Sequence, residues 1–290
     1  MRAAPHLASL AAFGCAAAAL CGHPAAAQDT CEMSFQAAVG ERRLITVETT
    51  VDATVTATDL EQKVSARSVF SRRKETFAEE TVVVDDRKMP IQVRLNCLTS
   101  SVEERTAGDT SGGLRKSSLQ GRIVTVTREG AGWSTIPMGG DPLGEDVAAS
   151  LGRWLDLPLL LKRGPVKVGD SWEVTGADRL VAFGIGKESG TPEIRCTLGR
   201  IVSGTPARAE VAVSIRLSQG EEGTKPFLGG QLAGLLVMDL SAGKPLSLSL
   251  SGSFRAAHDA RDANDAVIGA IDIQARQIQL RMTFEPVAAK

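Results

Sequence analysis

The sequence predicts a mainly β protein of the α+β class, in which curved antiparallel sheets pack on one principal helix. Three observations support this prediction. Apolar and polar residues alternate with period two through Ile45–Ala57, which is typical of a half-buried antiparallel strand. The same alternation returns later in the chain, at Val211–Leu217 and Leu246–Phe254. A long pattern of apolar residues at helical spacing lies near the middle, at Asp141–Asp156.

Short alternating segments separated by turn residues make up the first half of the chain. In the most regular of them, Val47 and Val51 fall on one face, with Glu48 and Thr50 on the other. Glycine-rich or charged turns, such as Glu129–Gly132, separate these segments. The predicted strands are Ile45–Ala57, Val64–Phe70, Thr81–Val84, Ile91–Thr99 and Leu119–Arg128.

The central helix is predicted to begin with Asp141 as its N-cap and Pro142 at the first helical position. Pro158 ends it, because the residue before a proline is biased away from helical geometry. Gly144 and Gly152 each disfavour a helix by about 1 kcal/mol relative to alanine, so packing must hold this element. Its apolar stripe consists of Leu143, Val147, Leu151, Trp154 and Leu155.

Alternating strands resume after the helix. The last strand changes phase, because Ile271 and Ile273 are odd-numbered whereas Ile278 and Leu280 are even-numbered, and a β-bulge near Arg276-Gln277 would cause that change. The earlier segments of this half are Val166–Trp172, which forms a strand, a turn and a strand, then Val181–Ile185, Ile194–Val202, Val211–Leu217, Leu235–Leu240 and Leu246–Phe254.

This order of elements divides the chain into a signal peptide at 1–27, an N-terminal β-rich half at 28–140, a central helix and connector at 141–163, and a C-terminal β-rich half at 164–290. Each half has long strands and a late hairpin, but the halves share no residue-level repeat. One fused β-rich unit and two similar units therefore remain alternatives.

The first 27 residues have the pattern of a secretory signal peptide. Arg2 precedes an apolar stretch at 7–20, and Ala25-Ala26-Ala27 supplies a small-residue cleavage site. We expect cleavage after Ala27 and export to the periplasm or the extracellular space. No later apolar run approaches the ~20 residues that a membrane helix needs, so no integral membrane segment is predicted.

Three cysteines follow the predicted cleavage site: Cys31, Cys97 and Cys196. In an oxidising compartment, one disulfide and one free thiol would account for them. Cys97 and Cys196 lie in phase with apolar residues of their strands and are predicted to face the core. A bridge and inert buried thiols both fit this pattern, and the sequence does not choose among the three pairings.

The chemistry available for metal or cofactor binding is sparse. His258 is the one histidine after residue 27, and no C-x-x-C or H-x-x-x-H spacing occurs, so neither a zinc site nor a cofactor is predicted. His258 is assigned to a solvated loop. The segment from Asp262 resembles a calcium loop but has Ala266 and Val267 where a ligand and a glycine are needed.

The net charge of −1 gives no electrostatic reason to expect a nucleic acid partner. Sugar and single-stranded nucleic acid sites use exposed aromatic side chains as stacking platforms. Here Trp133, Trp154 and Trp172 are assigned to the core, with Trp154 and Trp172 facing the interior. Adjacent glutamates are candidates for a hydrolase carboxylate pair, namely Glu79-Glu80, Glu103-Glu104 and Glu221-Glu222.

The segment Pro165-Val166-Lys167-Val168-Gly169-Asp170, followed by Trp172, resembles a P-V-K-V-G-D-x-W turn of uncharacterised exported bacterial proteins. This resemblance covers about ten residues and implies export but no activity. By architecture alone, antiparallel strands around a helix in an exported protein look like the lipoprotein-carrier half-barrel class.

Three functional hypotheses follow. The first is a non-enzymatic exported protein that binds an apolar, lipid-like small molecule between the curved sheet and the helix, or an envelope protein. The second is a structural envelope component with a filled core. The third, ranked last, is a carboxylate-dependent hydrolase. An open apolar cavity lined by leucine and valine favours the first, dense filling of the interior favours the second, and two converging buried carboxylates in a cleft favour the third.

Overall fold

The computed structural model describes residues 29–107, 113–130, 132–174, 192–221, 223–264 and 266–287. Within these ranges the protein is mainly β, as predicted, and its helical part is reduced to two short segments. The signal peptide and the segment Val181–Ile185 lie outside the described residues. No helix in the described ranges is long and apolar enough to cross a membrane.

Fourteen strands are defined in the described chain, and several are far longer than predicted. At about 3.4 Å per residue, the four longest extend roughly 60–70 Å. The strands are β1 Thr30–Glu32, β2 Arg42–Asp59, β3 Val64–Val84, β4 Pro90–Thr106, β5 Leu114–Lys116, β6 Ile123–Glu129, β7 Gly132–Pro137, β8 Pro165–Lys167, β9 Ser171–Glu173, β10 Glu193–Val202, β11 Arg208–Gln219, β12 Phe227–Asp239, β13 Lys244–Arg261 and β14 Val267–Pro286.

Twelve of these strands form one antiparallel sheet in the order β7-β6-β4-β3-β2-β14-β13-β12-β11-β10-β9, with β5 beside β4. Neighbours in the sheet are mostly neighbours in sequence, joined by hairpins. The exception is central: β2 pairs with β14 from Arg43–Pro286 to Asp59–Gly269, so the two β-rich halves continue into each other. Strands β1 and β8 form a separate two-stranded sheet.

The hydrophobic core lies against one face of the large sheet, which we call the inner face. It carries Ile45 of β2, Phe77 of β3 and Met282 of β14, all nearly inaccessible to solvent. The short helical segment and Val166 of the small sheet contribute to the same core cluster. Since side chains alternate along a strand, the odd-numbered residues of β2 and β3 share this face.

The central helix differs from its prediction. An α-helix spans only Glu145–Ser150, with Gly144 rather than Asp141 at its N-cap and no side-chain cap. Gly152 then adopts a positive φ of 75°, which an α-helix does not accommodate, and a 3-10 helix follows at Arg153–Leu160. Pro158 lies inside this second element, because the φ that proline imposes suits a 3-10 helix.

The apolar residues of this segment nevertheless pack as predicted. Leu151, Trp154 and Leu155 are buried in the core cluster, together with Leu157 and Leu160. Asp156 is buried as well and accepts hydrogen bonds from Arg128 of β6 and Trp133 of β7, both at 3.1 Å. Polar bonds thus anchor the segment to the edge of the sheet.

Two irregularities alter the long strands. The register between β14 and β2 shifts between Ala275 and Gln277, which confirms the predicted bulge. In the β12–β13 pair, Gly234 lies so close to the facing strand that an added Cβ would overlap the backbone oxygen of Ser249. Glycine within a strand often marks a close approach or a sharp bend of this kind.

Candidate functional site

Trp154 occupies the junction between the 3-10 helix and the inner face. Its side chain is buried, and its ring packs on Phe77 with centroids 5.3 Å apart. The indole Nε1 donates a hydrogen bond to Glu79 Oε2 at 2.5 Å. Trp154 therefore makes an apolar contact through its ring and a hydrogen bond to a buried carboxylate through Nε1.

Trp172 lies in β9, opposite Cys196 of β10, and is half-buried against the core. Its Nε1 donates to the carbonyl oxygen of Leu160 at 2.9 Å. This bond fastens the end of the 3-10 helix to the edge of the sheet. Trp172 thus packs inward, but less completely than Trp154.

Cys31, Cys97 and Cys196 are present as three free, buried thiols, and none is bonded to another. Burial raises the pKa of all three thiols from 9.0, in the case of Cys97 and Cys196 to about 12. For Cys97, the neighbouring carboxylate of Glu75 adds to this rise.

A buried ion pair on the inner face was not predicted. Arg43 Nε donates to Glu79 Oε1 at 2.6 Å, and the Glu79 side chain is only 1% exposed. The Arg43 guanidinium also lies 5.3 Å from the ring centroid of Phe284. A sequence signal did exist, because Arg43 is in phase with Ile45 and Val47.

A second ion pair lies four residues earlier on β3. Arg73 and Glu75 are joined by a 2.7 Å contact between Nη2 and Oε1, and Ser100 Oγ donates to the same carboxylate oxygen at 3.1 Å. Arg73 Nε is shielded from solvent and has no hydrogen-bond partner in the described residues. Strand β3 therefore places polar groups on the inner face beside the core.

A pocket of about 190 Å³ opens at this position, and we call it the Trp154 pocket. One part of its wall is apolar and the other carries the Arg73–Glu75 pair and three hydroxyl groups. The lining residues are Val47, Thr49, Val51, Ser71, Arg73, Glu75, Ser150 and Trp154.

Beyond this pocket the inner face continues, but its apolar side chains are only half-buried. We call this surface the apolar strip. Two small buried residues, Ala53 and Ala275, face each other between larger neighbours and form its floor. The larger residues are Val51, Val55, Val69, Ile271, Ile273 and Ile278.

The strip ends at the tips of the β2–β3 and β13–β14 hairpins, where a second pocket of about 430 Å³ lies, the tip pocket. It is lined by Ala57, Ser65, Ala260 and Ile271 together with adjoining residues of the two hairpins. The exposed Leu60 and Ile268 lie at the same end of the sheet. The inner face between the two pockets is thus apolar along β2 and β14, with the exposed Arg67 opposite Val55 and the exposed His258 opposite Ile271 at its margins.

The predicted carboxylate pairs are not brought together. Glu79 is buried, whereas Glu80 contacts Arg42 and Arg94 on the opposite face. Glu103 and Glu104 are likewise consecutive in β4 and pair with different arginines. The buried Glu75 and Glu79 share a face but are four residues apart, about 13 Å along a strand, beyond the spacing of a glycosidase pair. Glu222 lies outside the described residues.

His258 lies in β13 and not in the predicted loop, because the strand extends to Arg261. Its side chain is exposed, opposite Ile271 of β14. In the ranges that the structure describes, no three histidine, cysteine or acidic side chains cluster as metal ligands would.

Comparisons with known proteins show a similarity at the level of the fold. No family model and no curated protein sequence matches the chain. The fold is similar to that of a solved chain concerned with lipid–protein interactions in lipovitellin, with a TM-score of 0.44 and 9% sequence identity. The matched region covers 87% of this chain and 26% of the lipovitellin chain.

Proposed function

We propose that this protein is an exported binding protein for a lipid-like apolar ligand, whose hydrocarbon chain lies on the apolar strip. The observation that carries the proposal is the strip itself. Its valines and isoleucines lie on the same face of the sheet as the buried core residues, yet they are half-exposed. Burying such side chains against hydrocarbon is favourable by roughly 25 cal/mol for each Å² removed from water.

The dimensions of the strip support a hydrocarbon chain as the occupant. From Val51 to Ala57 the strand rises about 20 Å, at about 3.4 Å per residue. Half of a bilayer's hydrocarbon core is about 15 Å thick, and one acyl chain fills it. A single chain therefore fits between the Trp154 pocket and the tip pocket.

The strip also supports this function over a purely structural role. At the helix end of the sheet, Ile45, Phe77 and Leu248 are buried in a filled core, as a structural component would require. Towards the hairpin tips, side chains of the same kind on the same face are not fully covered by the described residues. This difference along one face favours a bound ligand.

Export forms part of the proposal and is supported by the Met1–Ala27 sequence pattern. The ligand would then be a lipid-like molecule of the periplasm or the extracellular space. N-terminal sequencing of the secreted protein should begin at or near Gln28, and retention of Met1 would contradict export.

Ligand binding is tested by native mass spectrometry of the purified protein and by titration with the apolar fluorophore N-phenyl-1-naphthylamine. We expect the fluorophore to bind, and Ile273→Glu to weaken binding at least tenfold by placing a charge in the strip. Gln274→Glu is the matched control, because Gln274 is the next residue of β14 and faces the other side. Undiminished binding by Ile273→Glu, or no binding by the wild-type protein, would contradict the proposal.

A further inference from the structure

The Trp154 pocket combines the polar and apolar features of an amphiphile-binding site. Val51 lines the pocket and also begins the apolar strip, so the two surfaces are continuous. On β3, Ser71, Arg73 and Glu75 line the same pocket. A ligand whose chain lies on the strip would therefore bring its polar end against this ion pair.

We propose that this pocket binds an uncharged, hydroxyl-bearing headgroup, such as the glyceryl group of a monoacylglycerol. The inference rests on the proposed function and specifies the class of lipid. It follows from the charge, the hydrogen-bonding groups and the volume of the pocket.

The charge of the lining favours an uncharged group. Arg73 and Glu75 are in contact at 2.7 Å, so the pair has no net charge. An anionic headgroup near Arg73 would also lie near the Glu75 carboxylate, where burial leaves little water to screen the repulsion. An anionic headgroup would lose its hydration, and the attraction of Arg73 would be offset by the repulsion of Glu75. A hydroxyl group has much less hydration free energy to lose on entering the pocket.

The hydrogen-bonding groups suit hydroxyls, which both donate and accept. The Arg73 guanidinium is a hydrogen-bond donor that lines the pocket. The Glu75 carboxylate is an acceptor, already bonded to Ser100 and Arg73 through Oε1. Thr49 and Ser71 add hydroxyl groups to the lining.

The volume sets the size of the headgroup. At about 190 Å³ the pocket is small, which suits a compact group such as glyceryl better than a disaccharide or a phosphorylated diacyl headgroup.

The test compares two lipids with the same chain, 1-monomyristoylglycerol and myristate, as competitors of N-phenyl-1-naphthylamine at pH 8. We expect the wild-type protein to bind the glyceride at least tenfold more tightly. Glu75→Gln leaves a net positive pocket and should abolish or reverse this preference. Arg72→Gln should preserve it, because Arg72 lies on the opposite face and pairs there with Glu48.

The outcomes separate this inference from the proposed function. If both lipids compete and myristate binds as tightly as the glyceride or more tightly, the headgroup inference is wrong and the strip remains a lipid site. If neither lipid competes, both proposals are wrong. The wild-type comparison alone decides between these outcomes. Ser71→Ala gives a second test if Glu75→Gln does not fold. This variant should weaken glyceride binding more than myristate binding.

Discussion

At the scale of single residues, the protein buries charge beside its aromatic core. Glu79 accepts from both Arg43 and Trp154, and these bonds compensate for its removal from water. The indole of Trp154 in turn has a partner for its only donor. Trp172 also has a partner for its donor, the Leu160 carbonyl oxygen, but its side chain is only half-buried.

Replacement of the two tryptophans should therefore have unequal effects. We expect Trp154→Ala to lower the free energy of unfolding by about 3–5 kcal/mol, as for other fully buried aromatic residues. Trp172→Ala should cost less, because its side chain is only half-buried. Urea unfolding followed by circular dichroism measures both values, and an equal or larger loss for Trp172→Ala would contradict the expected order.

The three buried thiols should be unreactive in the native protein. At pH 8, a thiol with a pKa of about 12 is ionised about a thousandfold less than one at 9.0, and the thiolate is the nucleophile. We expect iodoacetamide to modify none of Cys31, Cys97 and Cys196 in the folded protein and all three in urea, as read by peptide mass spectrometry.

The same measurement separates free thiols from a disulfide. If two of the three cysteines resist modification in urea until a reductant is added, they form a bridge, and their assignment as free thiols is wrong. The reduced, unfolded protein is the control that shows full modification.

At the scale of elements, the close approach of strands β12 and β13 depends on glycine residues. Gly252 of β13 approaches the facing strand about as closely as Gly234 does, and Gly230 of β12 less closely; an added Cβ at either would overlap atoms of the facing strand. These glycines lie on the inner face, opposite Phe254, Leu232 and Leu250 respectively. The close approach of the two strands is thus built into the sequence at three positions.

Gly234→Ala should destabilise the protein by about 1–3 kcal/mol or more, because the backbone must move to admit the methyl group. Gly132→Ala is the matched control, since Gly132 is also in a strand and its added Cβ would meet nothing nearer than 4.0 Å. Thermal unfolding compares the two variants. A melting temperature for Gly234→Ala equal to that of Gly132→Ala would show that the strands separate without cost.

At the scale of the whole molecule, a continuous sheet has a well-packed end and a thinly covered end. The four longest strands, β2, β3, β13 and β14, run from the core beneath the helical segment to the exposed hairpin tips. Local stability follows buried apolar contacts, so it should decrease along these strands.

Hydrogen exchange should reveal this gradient. We expect the strand amides at 57–59, 64–66, 258–261 and 267–270 to exchange well before those at 43–47 and 211–215, although all belong to the same sheet. Addition of 1-monomyristoylglycerol should slow exchange in the strip, with the Ile273→Glu variant as the control that does not respond. Uniform protection along β2 would contradict the gradient.

Local pattern in the sequence determined the β class, the bulge near Arg276 and the burial of Trp154, Cys97 and Cys196. These properties depend on alternation within one strand or on helical spacing, so neighbouring residues carry the information. The helical segment was recognised by its apolar spacing, but its division at Gly152 was not, because glycine occurs in helices as well as at their ends.

Only the tertiary structure decided that β2 pairs with β14, since this pairing joins residues more than two hundred positions apart. The same pairing places Ile271 and Ile273 beside the valines of β2 and so creates the apolar strip. The packing of the 3-10 helix on β3 brings Trp154 to Glu79. Alternation tells which side chains share a face, but it does not tell how far along a strand the covering layer extends. That extent is set by where other segments of the chain pack, and it separates the filled core from the open strip.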